Sequence, residues 1–544
     1  MTDSSRRGLG SEPHPEPETT PFSAQPLPQA SYPATVPVTQ PPAKRRAGAS
    51  LRSFAQPQQA LTVPMRGIAR VAQRQLAQVA VARYRQRAQH KEHTREILAF
   101  ALRLAETLFH YGADAADVDA AVVTVCAVYG LHDVEVDITY QSIVINYVSE
   151  FDRAAQAGTL PEAMTTTQGV AGQDPAGGEK LGLTLVRVVR STSENYRALH
   201  RLYTLVHDIA SGQVSRIRAE RRLATINSEK KPYSPAALLA WNLIMAGAFT
   251  LGVGGSWRAA LTSLVVYTAV HGVLAAADKL ALPSFFMMAL GSGVITMLAL
   301  FVSSPGGYLV ARGFYVSAPH VVAAGLMMLL PTFRLVSAVQ DALHGFPLTA
   351  AGKFVITGAN FTGLIAGIAV ALTVVNFFDP ASFNVQATVF NPPPLWGTIA
   401  GMAVGSAMTA AAWQGSATNI WLAAFVSLAG QATYHGLNLG SGLEAGRLNV
   451  LIGAFTVGLL SALAGYLLHA PASTYYVPGM MFMLPGLTIF RSSYLVLGGE
   501  DLSAGIQGLT AAGVTVLLMA TGIVLGTYLW DAVTQKVRSA RAPS

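Results

Sequence analysis

The sequence predicts a multi-pass α-helical membrane protein with a small cytoplasmic α/β domain ahead of its membrane region. Of the 544 residues, 51% are hydrophobic and only 12% are charged, whereas soluble domains carry about 25% charged residues. The charges are unevenly placed, because only 13 of them fall within residues 236–530. This composition excludes an ordinary soluble enzyme. The single cysteine, Cys126, excludes a disulfide scaffold.

The N-terminal segment is predicted to be a disordered tail followed by one helix. Residues 1–64 contain 12 of the 29 prolines and no apolar period, so they bury too little surface to offset the entropy of ordering. No apolar signal sequence occurs in the first 30 residues, and we therefore expect a cytoplasmic N-terminus. Residues 65–92 have the pattern of a basic amphipathic helix, which suits the inner membrane surface and a solvated position equally well.

Residues 94–215 have the pattern of a small α/β domain. Apolar residues at helical spacing precede alternating, strand-like runs, and a glycine follows each of the first two helices. The predicted elements are helices at 94–111 and 114–129, strands at 134–138, 143–148 and 184–189, and a helix at 193–205. We expect Asp114 to cap the second helix and Cys126 to lie in the core. The other acids between residues 114 and 137 then form a solvated face rather than a metal or hydrolytic site.

Ten apolar stretches of about 20 residues, the length that spans a bilayer, follow from residue 236 onward. They form two groups of five, in the segments 236–376 and 394–530. The predicted spans are 236–254, 258–277, 284–303, 318–338, 354–376, 394–412, 417–434, 448–469, 474–497 and 506–530. An even number of spans places both termini of the chain on the same side of the membrane. Basic residues in 216–231 and in the C-terminal tail 531–544 predict that this side is cytoplasmic.

An internal repeat relates the two groups of spans. The string GLMMLLP at Gly325–Pro331 parallels GMMFMLP at Gly479–Pro485, 154 residues further along the chain. Each string follows three predicted spans and is followed by one more. Because five is an odd number, the second copy would enter the membrane from the opposite side, as in the inverted repeats of secondary transporters. A chance match between two short apolar strings is the alternative.

Prolines within the predicted spans are the first candidates for a substrate site. A proline removes a helical hydrogen bond, and in a bilayer the freed carbonyls need another partner, which a polar cavity or a substrate can supply. Pro331, Pro478 and Pro485, with Gly486 beside the last of them, are therefore predicted to bind substrate. A packing kink is the alternative for each proline.

Ionisable and polar side chains within the spans are the second group of candidates, because such groups are costly in a bilayer without a cavity or a partner. Arg334, Arg491 and Asn360 are predicted to bind substrate, and Asp341 and His320 to carry protons. Arg334 and Asp341 are seven residues apart and share a helix face, so they suit the carboxylate and the ammonium of one substrate, or pairing through an intermediate group. The alternative is that all of these residues are anchors at the membrane interface.

The sequence has no motif for cofactor, metal or nucleic-acid chemistry. It contains no GxxxxGK[ST] loop, no HExxH and no CxxC pair, so we expect no cofactor, no metal and no catalytic residue. The net charge of +8 is better explained by anionic lipid headgroups than by nucleic acid, since no recognition motif occurs.

Several stretches resemble the threonine/serine exporter family. They are LRLAETLFHYGA at 102–113, YGLHDVEV at 129–136, PTFRLVSAVQDALHG at 331–345, VPG at 477–479 and LPG at 484–486. The resemblance covers residues 95–530 and implies a cytoplasmic N-terminal domain, roughly ten transmembrane helices and proton-driven export of small hydroxy amino acids. Two positions depart from the family pattern. Thr332 stands where glycine is usual, and Asp117-Val118-Asp119 stands where Arg-Val-Glu is usual.

Together these features predict a secondary exporter of threonine and serine in the bacterial inner membrane, with both termini in the cytoplasm. The two halves would rock against each other, and the expected partners are the amino acid, protons and the lipid bilayer. Two alternatives stand beside this prediction: a membrane-anchored hydrolase acting through residues 94–215, and an uncoupled channel for small solutes. The sequence leaves the oligomeric state, including a homo-oligomer, open.

Overall fold

The computed structural model describes residue 89 and residues 91–148, 182–189, 192–304, 307–378, 393–440, 447–497 and 501–541. Every described residue belongs to one compact unit, Val81–Ser544. The predicted disordered tail at 1–64 and almost all of the predicted amphipathic helix at 65–92 lie outside the described residues.

Ahead of the membrane helices, the described chain forms four helices and three strands. They are α1 (91–110), α2 (Ala115–Val128), β1 (Val134–Thr139), β2 (Ser142–Val148), β3 (Gly182–Val188), α3 (Tyr196–Ala210) and α4 (Arg216–Ser228). The strands form one antiparallel sheet in the order β1-β2-β3, with Val136 opposite Ile145 and Ile145 opposite Leu185. Because side chains alternate along a strand, Ile143 and Ile145 both face the core and are buried.

The core of this part is formed by apolar side chains from α1, α2 and β2, among them Leu104 and Val122. Cys126 is buried in it, as the sequence predicts. The glycines that follow α1 and α2, Gly112 and Gly130, have φ of +92° and +86°, a left-handed conformation that glycine adopts at little cost. They therefore stop the first two helices where the sequence predicts.

The rest of the described chain is helical. Its helices are α5 (Pro235–Gly252), α6 (Trp257–Lys279), α7 (Ser284–Ser303), α8 (Tyr308–Ala311), α9 (Ala318–Leu329), α10 (Thr332–Leu343), α11 (Pro347–Phe378), α12 (Leu395–Ala412), α13 (Ala417–Gly440), α14 (Arg447–Leu468), α15 (Ser473–Gly479), α16 (Gly486–Leu497) and α17 (Leu502–Arg541), with a short 3₁₀ turn at Met481–Met483 between α15 and α16. The fifth predicted span, α11, thus begins at residue 347 instead of 354.

Within the part of the chain that the structure describes, seven helices are long and apolar enough to cross a membrane, or nine if each of two bent helix pairs is one span. The chain is therefore a multi-pass helical membrane protein. The predicted ten spans exceed this count by one, and the difference lies in α13. That helix is 24 residues long, but the buried polar residues Asn419, Ser427 and Gln431 lower its hydropathy.

The two bent pairs are α9 with α10, at an angle of 41°, and α15 and its 3₁₀ turn with α16, at 48°. Each breaks immediately before a proline, at Leu330 and Leu484, whose ψ angles of 120° and 127° are extended. The cause is local, since a proline disfavours the helical conformation of the residue before it. The bent pairs also meet, because a Cβ built on Gly486 would lie 2.6 Å from the carbonyl oxygen of Ala323.

Helices α7 and α11 pack through glycines, and so do α14 and α17. A Cβ on Gly363 of α11 would lie 2.5 Å from the carbonyl oxygen of Phe285 in α7. A Cβ on Gly522 of α17 would likewise lie 2.5 Å from the carbonyl oxygen of Leu451 in α14. Small residues that let helix backbones touch are typical of membrane helix packing. In both groups of spans, this contact joins the helix before the bent pair to the helix after it.

Candidate functional site

A cavity of about 190 Å³ lies between the N-terminal elements and the membrane helices. The loop before α2, the turn between β1 and β2, and residues 192–196 bound it on one side. Helices α10, α11 and α15, with Trp413 after α12, bound it on the other. Pockets for drug-sized ligands measure about 300–1,000 Å³, so this cavity suits a smaller solute.

The wall from the sheet is held by contacts between the β1–β2 turn and the start of α11. The Thr349 hydroxyl donates to the carbonyl oxygen of Ile138 at 2.7 Å and accepts from the Tyr140 amide at 3.0 Å. The Tyr140 ring then lies over Gly352, where a Cβ would be 2.8 Å from its Cδ2 atom. The missing side chain at Gly352 therefore lets the turn sit directly on α11.

Aromatic side chains form the apolar wall. The ring of Trp413 lies 5.3 Å from the ring of Tyr196 and 5.3 Å from the ring of Phe333, and the Tyr196 amide donates to the Trp413 carbonyl oxygen at 3.0 Å. Buried Tyr476 donates its hydroxyl to Gln340 Oε1 at 3.1 Å. This last bond joins the two bent pairs, since Gln340 belongs to α10 and Tyr476 to α15.

Besides Asp114 and Lys353, two opposite charges line the cavity, the Arg334 guanidinium from α10 and the Glu194 carboxylate from the segment before α3. Neither is in an ion pair or a side-chain hydrogen bond with any residue that the structure describes. Glu194 is an exposed residue by its accessible surface, yet the protein packed around its carboxyl raises its pKa by partial desolvation, while the charges of Arg334 and Lys231 act to lower it. The cavity thus holds an anionic and a cationic group that a small ligand can reach.

A polar network centres on Asp341, whose exposed fraction is 1% and which does not itself line the cavity, and it includes the cavity-lining residues Asp114, Ser337 and Lys353. Lys353 Nζ lies 2.6 Å from Asp341 Oδ2 and donates to Ser337 Oγ at 2.6 Å. The amide of Ala115 donates to Asp341 Oδ1 at 3.2 Å, and the Ser337 hydroxyl donates to Asp114 Oδ1. The network therefore ties the start of α2 to α10 and α11.

The prediction that Asp114 caps α2 is wrong for its side chain. Asp114 occupies the N-cap position, but its carboxylate makes no cap hydrogen bond and accepts from Ser337 instead. The first amide of α2 takes Asp341 as its acceptor. The positive end of the helix thus meets a carboxylate from a residue 226 positions further along the chain.

Of the residues predicted to form the site, only Arg334 lines the cavity that the structure describes. Pro331 and Pro485 lie at the breaks of the bent pairs, and Pro478 lies inside α15. Gly486 packs against the backbone at Ala323. None of these four residues lines the cavity, and their roles in substrate binding remain predictions.

The other predicted residues lie apart from the cavity. Asn360 is 1% exposed, and its Oδ1 has no hydrogen-bond partner among the described residues. His320 is buried, with its Nδ1 2.6 Å from the Ser317 hydroxyl. Arg491 is exposed on α16. Their predicted roles remain predictions.

The sequence analysis missed Glu194, Lys353, Trp413 and Tyr476. Lys353 carries a signal, because it is a lone charge in an apolar stretch, but the predicted span began one residue after it. Glu194 carries none, since acids are common in the polar part of the chain. Among the described residues, no group of three or more His, Cys, Asp or Glu side chains could hold a metal ion.

The fold is that of a multi-pass helical membrane protein with a cavity beside two broken spans, an arrangement typical of secondary transporters. The family model ThrE matches residues 99–375, and a model described as Threonine/Serine exporter, ThrE, matches residues 398–533. The chain belongs to the threonine/serine exporter family, which confirms the resemblance and indicates a transporter rather than an enzyme.

Two curated relatives agree with this assignment. The chain is 29% identical over 459 residues to a probable threonine/serine exporter of Mycobacterium tuberculosis, covering 80% of this chain and 77% of that protein. It is 25% identical over 441 residues to a threonine/serine exporter of Corynebacterium glutamicum, covering 80% of this chain and 82% of that protein. No solved structure matches the chain significantly.

Proposed function

We propose that this protein exports threonine and serine across the bacterial inner membrane, driven by the proton motive force. The names of the two relatives support this substrate class. The cavity supports the mechanism, because Arg334 and Glu194 carry opposite charges into a space of small-solute size beside the two bent pairs. An amino acid is a small solute with one positive and one negative group.

The proposal includes ten spans arranged as a five-plus-five inverted repeat. In this arrangement α13 is the seventh span, and the two bent pairs are the fourth and the ninth. Three features support it: the two breaks are 154 residues apart, the bent pairs make similar angles of 41° and 48°, and glycines join the third span to the fifth in each half. Both termini and the N-terminal α/β domain, residues 94–215, then lie in the cytoplasm.

Asp341 is the proposed proton site. Its carboxylate holds Lys353 and the first amide of α2 in one network. Protonation would remove the negative charge that attracts both partners, so the contact between α2 and α10 would weaken and the halves could rock. His320, buried beside Ser317, is the second proposed proton carrier.

The test is efflux of labelled threonine from proteoliposomes with and without an imposed pH gradient. We expect efflux that depends on the gradient, and loss of that dependence in Asp341→Asn. Asp278→Asn is the matched control, because Asp278 is an exposed acid at the end of α6. Efflux indifferent to the gradient would indicate an uncoupled channel, and absence of efflux from folded protein would refute the proposal.

A further inference from the structure

We propose that the cavity binds the charged backbone groups of a free amino acid, with Arg334 holding the carboxylate and Glu194 holding the ammonium. This inference rests on the proposed function and deepens it. It makes Glu194, a residue of the N-terminal part of the chain, a direct substrate ligand. The N-terminal elements then form half of the binding site.

The first argument is that these two charges are available. Two of the four charged residues that line the cavity already have partners, since Lys353 contacts Asp341 and Ser337 and Asp114 accepts from Ser337. Arg334 and Glu194 are in no such pair with another described residue.

The second argument is that the two charges come from opposite walls. Arg334 lies on α10 in the membrane half, whereas Glu194 immediately precedes α3. The charge of Arg334 acts on the Glu194 carboxyl, but no guanidinium nitrogen of Arg334 lies within 4.0 Å of a Glu194 carboxylate oxygen. A ligand between them that carries both signs satisfies each charge, whereas a ligand of one sign leaves the other without a partner.

The third argument is the shape of the remaining wall. Trp413, Phe333 and Val477 form an apolar surface beside the charged groups, which suits the side chain of a small amino acid. Charge-assisted hydrogen bonds to a guanidinium and a carboxylate are stronger than neutral ones. The two end groups therefore dominate the affinity, and the apolar wall limits the size of the side chain.

The site also has a consequence for transport. A substrate held by both walls links residue 194 to α10 and so stabilises the docked position of the N-terminal elements. The Glu194 contact must then break before the substrate moves on through the membrane half. Substrate binding and the position of the N-terminal elements are thereby coupled.

The experiment measures binding of three ligands to the full chain in detergent by isothermal titration calorimetry. The ligands are threonine, 3-hydroxybutanoate, which lacks the ammonium, and 1-aminopropan-2-ol, which lacks the carboxylate. We expect Glu194→Gln to weaken threonine binding roughly 10- to 100-fold, the range for a lost hydrogen bond between charged groups. The same variant should leave 3-hydroxybutanoate binding unchanged. Arg334→Gln should weaken threonine similarly and leave 1-aminopropan-2-ol unchanged.

Matched controls separate this site from general charge effects. Glu135→Gln changes an acid on β1, and Arg312→Gln changes a base after α8, neither of which lines the cavity. Both controls should bind threonine like the unmodified protein. Thermal unfolding checks that the four variants fold alike, and Glu194→Asp, which keeps the charge, should recover part of the affinity.

The outcomes distinguish this inference from the proposed function. If Glu194→Gln binds threonine with unchanged affinity, or if the unmodified protein binds no threonine, the site is refuted. If efflux depends on the pH gradient while neither cavity variant alters binding, the export function stands without this site. If the ligand pattern is as expected but proteoliposomes show no efflux, the site stands and the export function fails.

Discussion

The pair formed by Lys353 and Asp341 gives a quantitative prediction about stability. Lys353→Met keeps the length of the side chain and removes its charge. Asp341, 1% exposed, would then keep only the hydrogen bond from the Ala115 amide. Removing one partner of a buried ion pair costs about 3–5 kcal/mol. Since the Lys353 side chain is itself 15% exposed, we expect Lys353→Met to lower the free energy of unfolding by about 3 kcal/mol, at the lower end of that range.

A double-mutant cycle isolates the interaction. Asp341→Leu combined with Lys353→Met replaces both charges by apolar groups, a change that is often neutral or stabilising for a buried pair. The double variant should therefore be more stable than Lys353→Met alone, with a coupling energy of about 1–3 kcal/mol. Chemical unfolding of each variant in the same detergent measures the four free energies.

Lys279→Met is the control, because Lys279 is exposed at the end of α6 and should change stability by less than about 0.5 kcal/mol. The reasoning is refuted if Lys353→Met is as stable as this control. It is also refuted if the effects of the two substitutions at 353 and 341 simply add.

Three further predictions concern the walls of the cavity. Gly352→Ala places a Cβ 2.8 Å from the Tyr140 ring and should cost about 1–3 kcal/mol, whereas Gly358→Ala on the same helix meets open space and should not destabilise. Unfolding in one detergent compares them, and equal stabilities would contradict the docking of the turn. Threonine affinity should fall as the pH is lowered, and the fall should begin at a higher pH than for an ordinary glutamate, because the pKa of Glu194 is raised and its carboxylate is protonated sooner. Calorimetry across pH should show this loss of affinity on the acid side. The loss should be smaller in Glu194→Gln. Tyr476→Phe removes the bond between the two bent pairs and should cost about 1 kcal/mol, seen as a lower unfolding temperature; an unchanged temperature would mean that this bond does not stabilise the fold.

The secondary structure was largely predictable, because its determinants are local. The length of apolar stretches predicts where helices can span a bilayer, and nine of the ten predicted spans coincide with single or bent helices that pass by length and apolarity. Glycine and proline act on their own backbone, so Gly112 and Gly130 predict helix ends, and Pro331 and Pro485 predict breaks. The one span that fails the apolarity criterion, α13, carries buried polar groups whose partners lie on other helices, such as Ser406 for Ser427.

The sequence by itself therefore determined a polar part, a membrane part, two broken spans and family membership, since each follows from neighbouring residues or from their order. The tertiary structure decided which charges meet. Sequence spacing paired Arg334 with Asp341, but in the fold Asp341 contacts Lys353 and the amide of Ala115, and Arg334 lines the same cavity as Glu194. Residues 194 and 334 are separated along the chain by seven helices, α3 to α9. Their proximity depends on how the whole chain packs, and no local pattern encodes that.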